Sequence, residues 1–356
     1  MEHSGGVGRS SGAASNPASL SALNGLEIIE VFGPASTSLG QVAVSFTGML
    51  AARLGAKVLR ADSVKTTEMR SWPPLMPDGS SALSLFLSFA KESVPEHYRP
   101  SSEAYLLTDD AGIASAWPGE RKVLIRPSST PDGRWQSELT AMAASGLLDI
   151  VSEEGRPPLP LPGHQVAYAA GLAALAGLLA SHHMDLAHGE AVRVETAAVE
   201  VAAWLNWKNR LSSVSGNRQT GRRRQEEWLA VRCRDGYIAV IFRDRDIPAL
   251  AKLMRSPRLA ADIFQKEPTR LRHLAEFHTI VATALADRGK DELLKEAGDL
   301  GLQFSAVLSP TEMFDDPQMK SRQFFSTWEA IQMPRLPLLW RSEAMAHPLH
   351  QRSSGA

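Results

Sequence analysis

Apolar positions along this chain fall into two rhythms, short continuous runs and helically spaced stripes, and their alternation predicts the architecture. Folded structure is expected from Leu23, where GLEIIEVF reads as a short buried strand. The segment VAVSFTGMLAARLGAKVLRAD then carries apolar residues at helical spacing from Val42 to Leu54, breaks at Gly55 and resumes as a strand over Lys57 to Arg60. That is a β-α-β unit. Further strand-like runs at AYLLT (Ala104 to Thr108) and KVLIR (Lys122 to Arg126) extend it into a parallel sheet with right-handed crossover helices.

Past the proline-rich stretch Arg156 to Pro162, an Ala/Leu-rich helix is predicted from Gln165 to His183, with a turn at His188 and Gly189. The strand AVRVETA and the helix VEVAAWLNWKNR follow. Composition then shifts to the polar, basic segment SGNRQTGRRRQEE. Two apolar runs, WLAVRC and YIAVIF, joined by Arg234, Asp235 and Gly236, read as a hairpin, and Asp246 to Leu300 reads as helical with charged faces. DDPQMKSRQFF reads as a return helix. The expected division is a disordered leader over 1–22, a large α/β domain over 23–226, a small α+β domain over 227–309 and a return segment over 310–356.

Composition narrows the function classes. A length of 356 residues with 44% hydrophobic and 22% charged residues fits a globular protein with a sizeable core. The net charge of -1 gives no electrostatic case for nucleic acid or for an anionic membrane surface. A single cysteine, Cys233, excludes an internal disulfide and any CxxC motif, and fits a reducing, cytoplasmic compartment. The first twenty residues lack the apolar core of a signal peptide, and the apolar stretch Val166 to Ala180 is too short and too polar at its ends to be read as a membrane span.

Five segments, in order, resemble the class III CoA-transferases, also called the CaiB/BaiF family. They are GLEIIEV; GMLAARLGAKVLRAD; ELTAMAASGLLDIVSEEGRPPLPLPGHQVAYAAG; HGEAVRVE; and CRDGYIAVIF together with SPTEMFDDPQMKSRQFF. The resemblance implies a Rossmann-like large domain whose parallel sheet draws on both chain ends, a smaller α+β domain, and an interlocked dimer. It also implies acyl-CoA and organic acids as small-molecule partners, with coenzyme A as substrate or ligand and not as a covalently held cofactor.

In that family a carboxylate, usually Asp, stands four residues before the glycine that here is Gly171, and it carries the acyl group; here that position is Ala167. A covalent relay needs a carboxylate. Pro162 to Gly171 contains no Asp or Glu, so a small shift of register supplies none. Glu153, Glu154, Glu190 and Glu195 flank the segment and read as solvated acids, so no catalytic residue is assigned. Where the family reads Asn-Arg-x-Lys before a Ser-Val pair, this chain keeps Lys91 ahead of Ser93 and Val94. Lys91, with Arg60 at the end of its strand, is the candidate contact for CoA phosphates.

The family's glycine loop falls near Ser215 to Gln225, where Arg222, Arg223 and Arg224 make a basic tip that reads first as a solvated loop and otherwise as a docking point for an acidic substrate or partner. His164, His182, His183 and His188 lack the spacing of a metal site, so no metal is assigned. Cys233 reads as core, and Trp204 with Trp207 as core or subunit packing. Three roles follow from the resemblance: a non-catalytic or altered subunit, as homodimer or as heteromer with an Asp-bearing paralogue; a transferase or racemase using another base; or a non-enzymatic CoA-ester binder or assembly partner.

Overall fold

A computed structural model of the chain describes residues 22–129, 137–150, 157–214, 229–328 and 331–338. The chain divides into two compact units, Met1–Arg222 and Arg223–Ala356.

The first unit is built on a six-stranded parallel sheet of β1 (Glu27–Glu30), β2 (Lys57–Ala61), β3 (Glu92–Val94), β4 (Tyr105–Thr108), β5 (Lys122–Arg126) and β6 (Val194–Ala197), in the order β3-β2-β1-β4-β5-β6. Register runs Ile29 to Leu59 on one side of β1 and Ile29 to Leu106 on the other. The interior strands are largely buried because helices cover both faces, and they carry polar residues such as Glu30 and Arg60 among the apolar ones. Ile29, Leu59, Val94, Leu106 and Leu124 pack with Ala114 of the Ala111–Ala116 helix. Ile28 and Glu30 alternate to the other face, where helix α1 (Ser38–Arg53) lies so close that a Cβ on its Gly48 would meet Glu30 Oε1 at 1.9 Å.

Every strand of this sheet comes from residues 27–197. The resemblance implies a sheet that draws on both chain ends, but among the described residues the C-terminal strands pair with each other. Phe325–Trp328 and Ile331–Pro334 form a two-stranded antiparallel sheet within the second unit.

Helix Gln165–His188 packs along α1 and over β5 and β6. It runs five residues beyond the expected His183, and Gly189 ends it in the left-handed conformation at φ 71°. It is also the one helix among the described residues long and apolar enough to cross a membrane by length and composition. The two helices touch at Gly171, where a Cβ would lie 2.9 Å from the Ala43 carbonyl oxygen of α1. Thr47 Oγ1 sits 2.8 Å from Ala43 O and 3.0 Å from Gly171 O, so its hydroxyl donates across the crossing.

The expected single helix over VEVAAWLNWKNR is broken at Asn206 into Ala198–Leu205 and Trp207–Val214. Asn206 Nδ2 donates to Ser145 O at 3.2 Å, tying the break to the neighbouring helix Glu138–Ala144 and its end. Trp204 and Trp207 are 73% and 55% exposed in the single chain, so they do not belong to its core.

In the second unit the expected hairpin forms from β7 (Leu229–Cys233) and β8 (Gly236–Ile241), with Arg234 and Asp235 as its turn. A third antiparallel strand, β9 (Gln303–Val307), lies beside β8 and was not expected from the sequence. Cys233 is buried in this unit's core beside Ile238, Phe264 and Phe277.

Candidate active site

The order of the first sheet reverses between β1 and β4, the place where open α/β sheets take ligands at their carboxyl ends. Here the protein's own acids bind the loop that follows β1. Asp109 accepts from Ser36 Oγ and from the Thr37 N–H at 2.8 Å. Asp110 accepts from the Ala35 N–H at 3.1 Å and from Gly112 and Ile113 at the start of its own helix. Burial pushes the Asp109 carboxyl up to about 6, against the pull of those donors.

The expected phosphate contacts lie deeper. Lys91 and Arg60 are brought together around Glu30, and both are buried. The Lys91 ammonium donates to Glu30 Oε1 and to Ser45 O at 2.7 Å, and its side chain is 1% exposed. Arg60 Nη2 donates to Ser88 Oγ at 2.6 Å. Burial holds the Lys91 amine down to about 8, partly offset by Glu30, and it pushes the Glu30 carboxyl up. Glu30 Oε2, Ser45 Oγ and Arg60 Nε have no hydrogen-bond partner among the described residues. Gln41, Ser45 and Gly48 line the face of α1 toward this cluster, while Ala43, Phe46 and Thr47 line the face toward Gly171. Ala167 lies on that second side and is therefore separate from the two cations.

Ala167 occupies the first turn of helix Gln165–His188 and is fully buried. The residue that precedes this helix, His164, gives it no side-chain cap. A carboxylate comes from elsewhere. Glu138 opens the helix Glu138–Ala144, itself fixed by a reciprocal cap between Ser137 and Thr140, and its carboxylate accepts from two amides of the long helix. The Val166 N–H donates to Oε1, and the Ala167 N–H donates to Oε2 at 3.3 Å. The two amides and the helix dipole favour negative charge there, whereas burial pushes the Glu138 carboxyl up.

Aromatic groups enclose the same turn. Tyr168 lies 4.7 Å from Phe46 and 6.2 Å from His164 between ring centroids. Burial lowers the His164 imidazole from its ordinary value, and it raises the Tyr168 phenol with help from the Glu138 charge. The arrangement combines a part-buried carboxylate, two amide donors on its oxygens, an imidazole and a phenol.

Sequence reasoning missed Glu138. It stands 29 residues before Ala167, and the signal available was the run SELT, which marks a capped helix start and says nothing about a partner. Of the acids weighed from sequence, Glu195 pairs with Arg126 and Arg193. Glu190 is exposed, and Glu153 and Glu154 lie outside the described residues, as does the basic loop Ser215 to Gln225.

The fold has relatives of known structure. A CaiB/BaiF family protein from Brucella suis matches with a TM-score of 0.75 at 16% identity, covering 90% of this chain and 93% of that one. A hypothetical protein from Mycobacterium tuberculosis matches with a TM-score of 0.65 at 18% identity, covering 92% and 94%. No curated protein sequence matches the chain. Residues 132–350 match the model for CoA-transferase family III, a span that includes Glu138, Ala167 and the whole described part of the second unit. With more than half of its length so matched, the chain belongs to CoA-transferase family III.

Proposed function

We propose that this chain acts on CoA thioesters and free carboxylic acids, transferring CoA between them or supporting that transfer, through a site in which residue 167 takes no covalent part. The observation that carries this reading is the match of residues 132–350 to CoA-transferase family III, together with a methyl group at Ala167, where the resemblance of the sequence would put the relay's carboxylate. The sheet and the long helix retain the family's architecture, which supports CoA-ester recognition over loss of function altogether. Lys91 and Arg60 enter as an internal charged pair beside the site, since contact with CoA phosphates requires Glu30 and Ser88 to release them.

Assembly belongs to the same reading. The exposed Trp204, Leu205, Trp207 and Leu211 form an apolar face on two consecutive helices, which favours a homodimer or a heteromer with an Asp-bearing paralogue. The purified chain, incubated with acyl-CoA and an isotopically labelled free acid, is expected to yield labelled thioester by mass spectrometry, alone or after addition of the paralogue. Absence of CoA-ester binding by calorimetry, together with absence of exchange in both mixtures, refutes the proposal.

A further inference from the structure

We infer that the charged cluster beneath α1 is an internal hydration site, in which ordered water joins Glu30 Oε2, Gln41 Oε1, Ser45 Oγ and Arg60 Nε. The inference is independent of the proposed function and assigns these groups a ligand. Their residues are only 0–7% exposed, and the atoms themselves have no hydrogen-bond partner among the described residues.

The fold brings the four together from two layers. Glu30 and Arg60 are register partners on the adjacent parallel strands β1 and β2, so their side chains leave the sheet on the same face. Gln41 and Ser45 stand four residues apart on α1 and share the side of the helix that covers that face. Lys91 ties the layers by donating to Glu30 Oε1 and, at 2.7 Å, to Ser45 O. The helix lies close over the cluster, since a Cβ on Gly48 would fall 3.3 Å from Lys91 Nζ as well as against Glu30.

A polar group orphaned in so enclosed a place is costly, and native interiors satisfy such groups with ordered water that makes about two to four hydrogen bonds. The chemistry of the set selects that ligand. Glu30 Oε2 and Gln41 Oε1 accept, Arg60 Nε donates, and the Ser45 hydroxyl does either. Water donates twice and accepts twice, which complements the set. Phosphate brings acceptor oxygens that would face those of Glu30 and Gln41, and a metal cation would face Arg60 and the Lys91 ammonium. Water placed here engages the second Glu30 oxygen and Arg60 Nε inward, while Arg60 Nη2 already donates to Ser88. It thereby fastens α1 to the carboxyl ends of β1 and β2.

A high-resolution crystal structure of the full chain tests this directly. The expected result is a water peak within about 3.2 Å of at least three of the four atoms. A cluster whose groups bond one another and hold no water overturns the inference, as does density that refines as phosphate or a metal ion. The sign of a stability change gives a second test, using Ser45→Ala and the nearly isosteric Gln41→Met. Where water bonds these groups, each variant leaves that water short of a partner, and the thermal midpoint is expected to fall by about 2–4 °C. In a dry cluster each variant removes an orphaned buried group, and the midpoint rises. A rise or no change in either variant overturns the inference. If a variant does not fold, the crystal structure of the natural chain decides the matter.

Discussion

Asp109 illustrates how a single side chain ties the first unit to pH. Its carboxyl titrates near 6 in the folded chain against an ordinary 3.8, because burial outweighs the Ser36 and Thr37 donors. The folded state therefore holds the proton more tightly than the unfolded chain does. Its contribution to stability is full below about pH 4 and is lost as pH rises through about 6; the interval from 3.8 to about 6 corresponds to about 3 kcal/mol. Asp109→Asn keeps an acceptor for the Thr37 N–H and removes the ionisation. Urea unfolding across that window is expected to show a shallower pH dependence in Asp109→Asn than in the wild type. An unchanged slope contradicts the assignment.

The sequence drew attention to Ala167 through the motif around Gly171, whereas the contact of Glu138 with the same turn was hidden because only the fold brings the two together. Ala167→Asp places a second carboxylate in a fully buried first turn beside the one already present. A cost of about 1–3 kcal/mol is expected from overpacking alone. Repulsion between the carboxylates should make it larger at neutral than at mildly acidic pH, which denaturation at the two pH values will reveal.

Among the elements, the crossing of α1 with helix Gln165–His188 sets the position of the site, and it has no room for a side chain at Gly171. Gly171→Ala pushes a methyl into the Ala43 carbonyl, and backbone cannot move aside as a side-chain tip can. The expected loss is about 1–3 kcal/mol, despite the better helix propensity of alanine, and a lowered thermal midpoint is the measurement. Helical spacing in the sequence revealed both helices, and apolar runs revealed β1, β2, β4 and β5. The break at Asn206 was hidden because it depends on a hydrogen bond to Ser145, far away in sequence. Strand β9 was hidden as well: QFSAV alternates half-buried and exposed positions, and it follows directly on a helical stretch that ends at Leu300.

At the scale of the whole chain, the second unit has a core of its own around Ile238, Leu250, Phe264, Phe277 and Leu293. Phe277 is fully buried and lies in tilted contact with Phe242 and Phe264. Phe277→Ala is expected to cost about 3–5 kcal/mol. By hydrogen exchange mass spectrometry, protection should fall in β7, β8 and β9 while β1 to β6 keep theirs. Equal loss in both sets denies the units separate stability. The sequence offered a shift in composition after the Trp207–Val214 helix as the place to divide the chain. It did not reveal that the C-terminal strands pair with each other, since apolar patterning identifies a strand and not its neighbour.

The length and apolarity of helix Gln165–His188 have a consequence for the newborn chain. As it leaves the ribosome, this segment presents to chaperones and to the membrane-insertion machinery much the same surface as a spanning helix. Order of synthesis protects it. The strands β1 to β5 and α1 emerge earlier, so most of its docking surface precedes it and only β6 follows. A circular permutant that begins just before Gln165 reverses that order, and it should be captured by chaperones or membranes during translation while the finished natural chain is not.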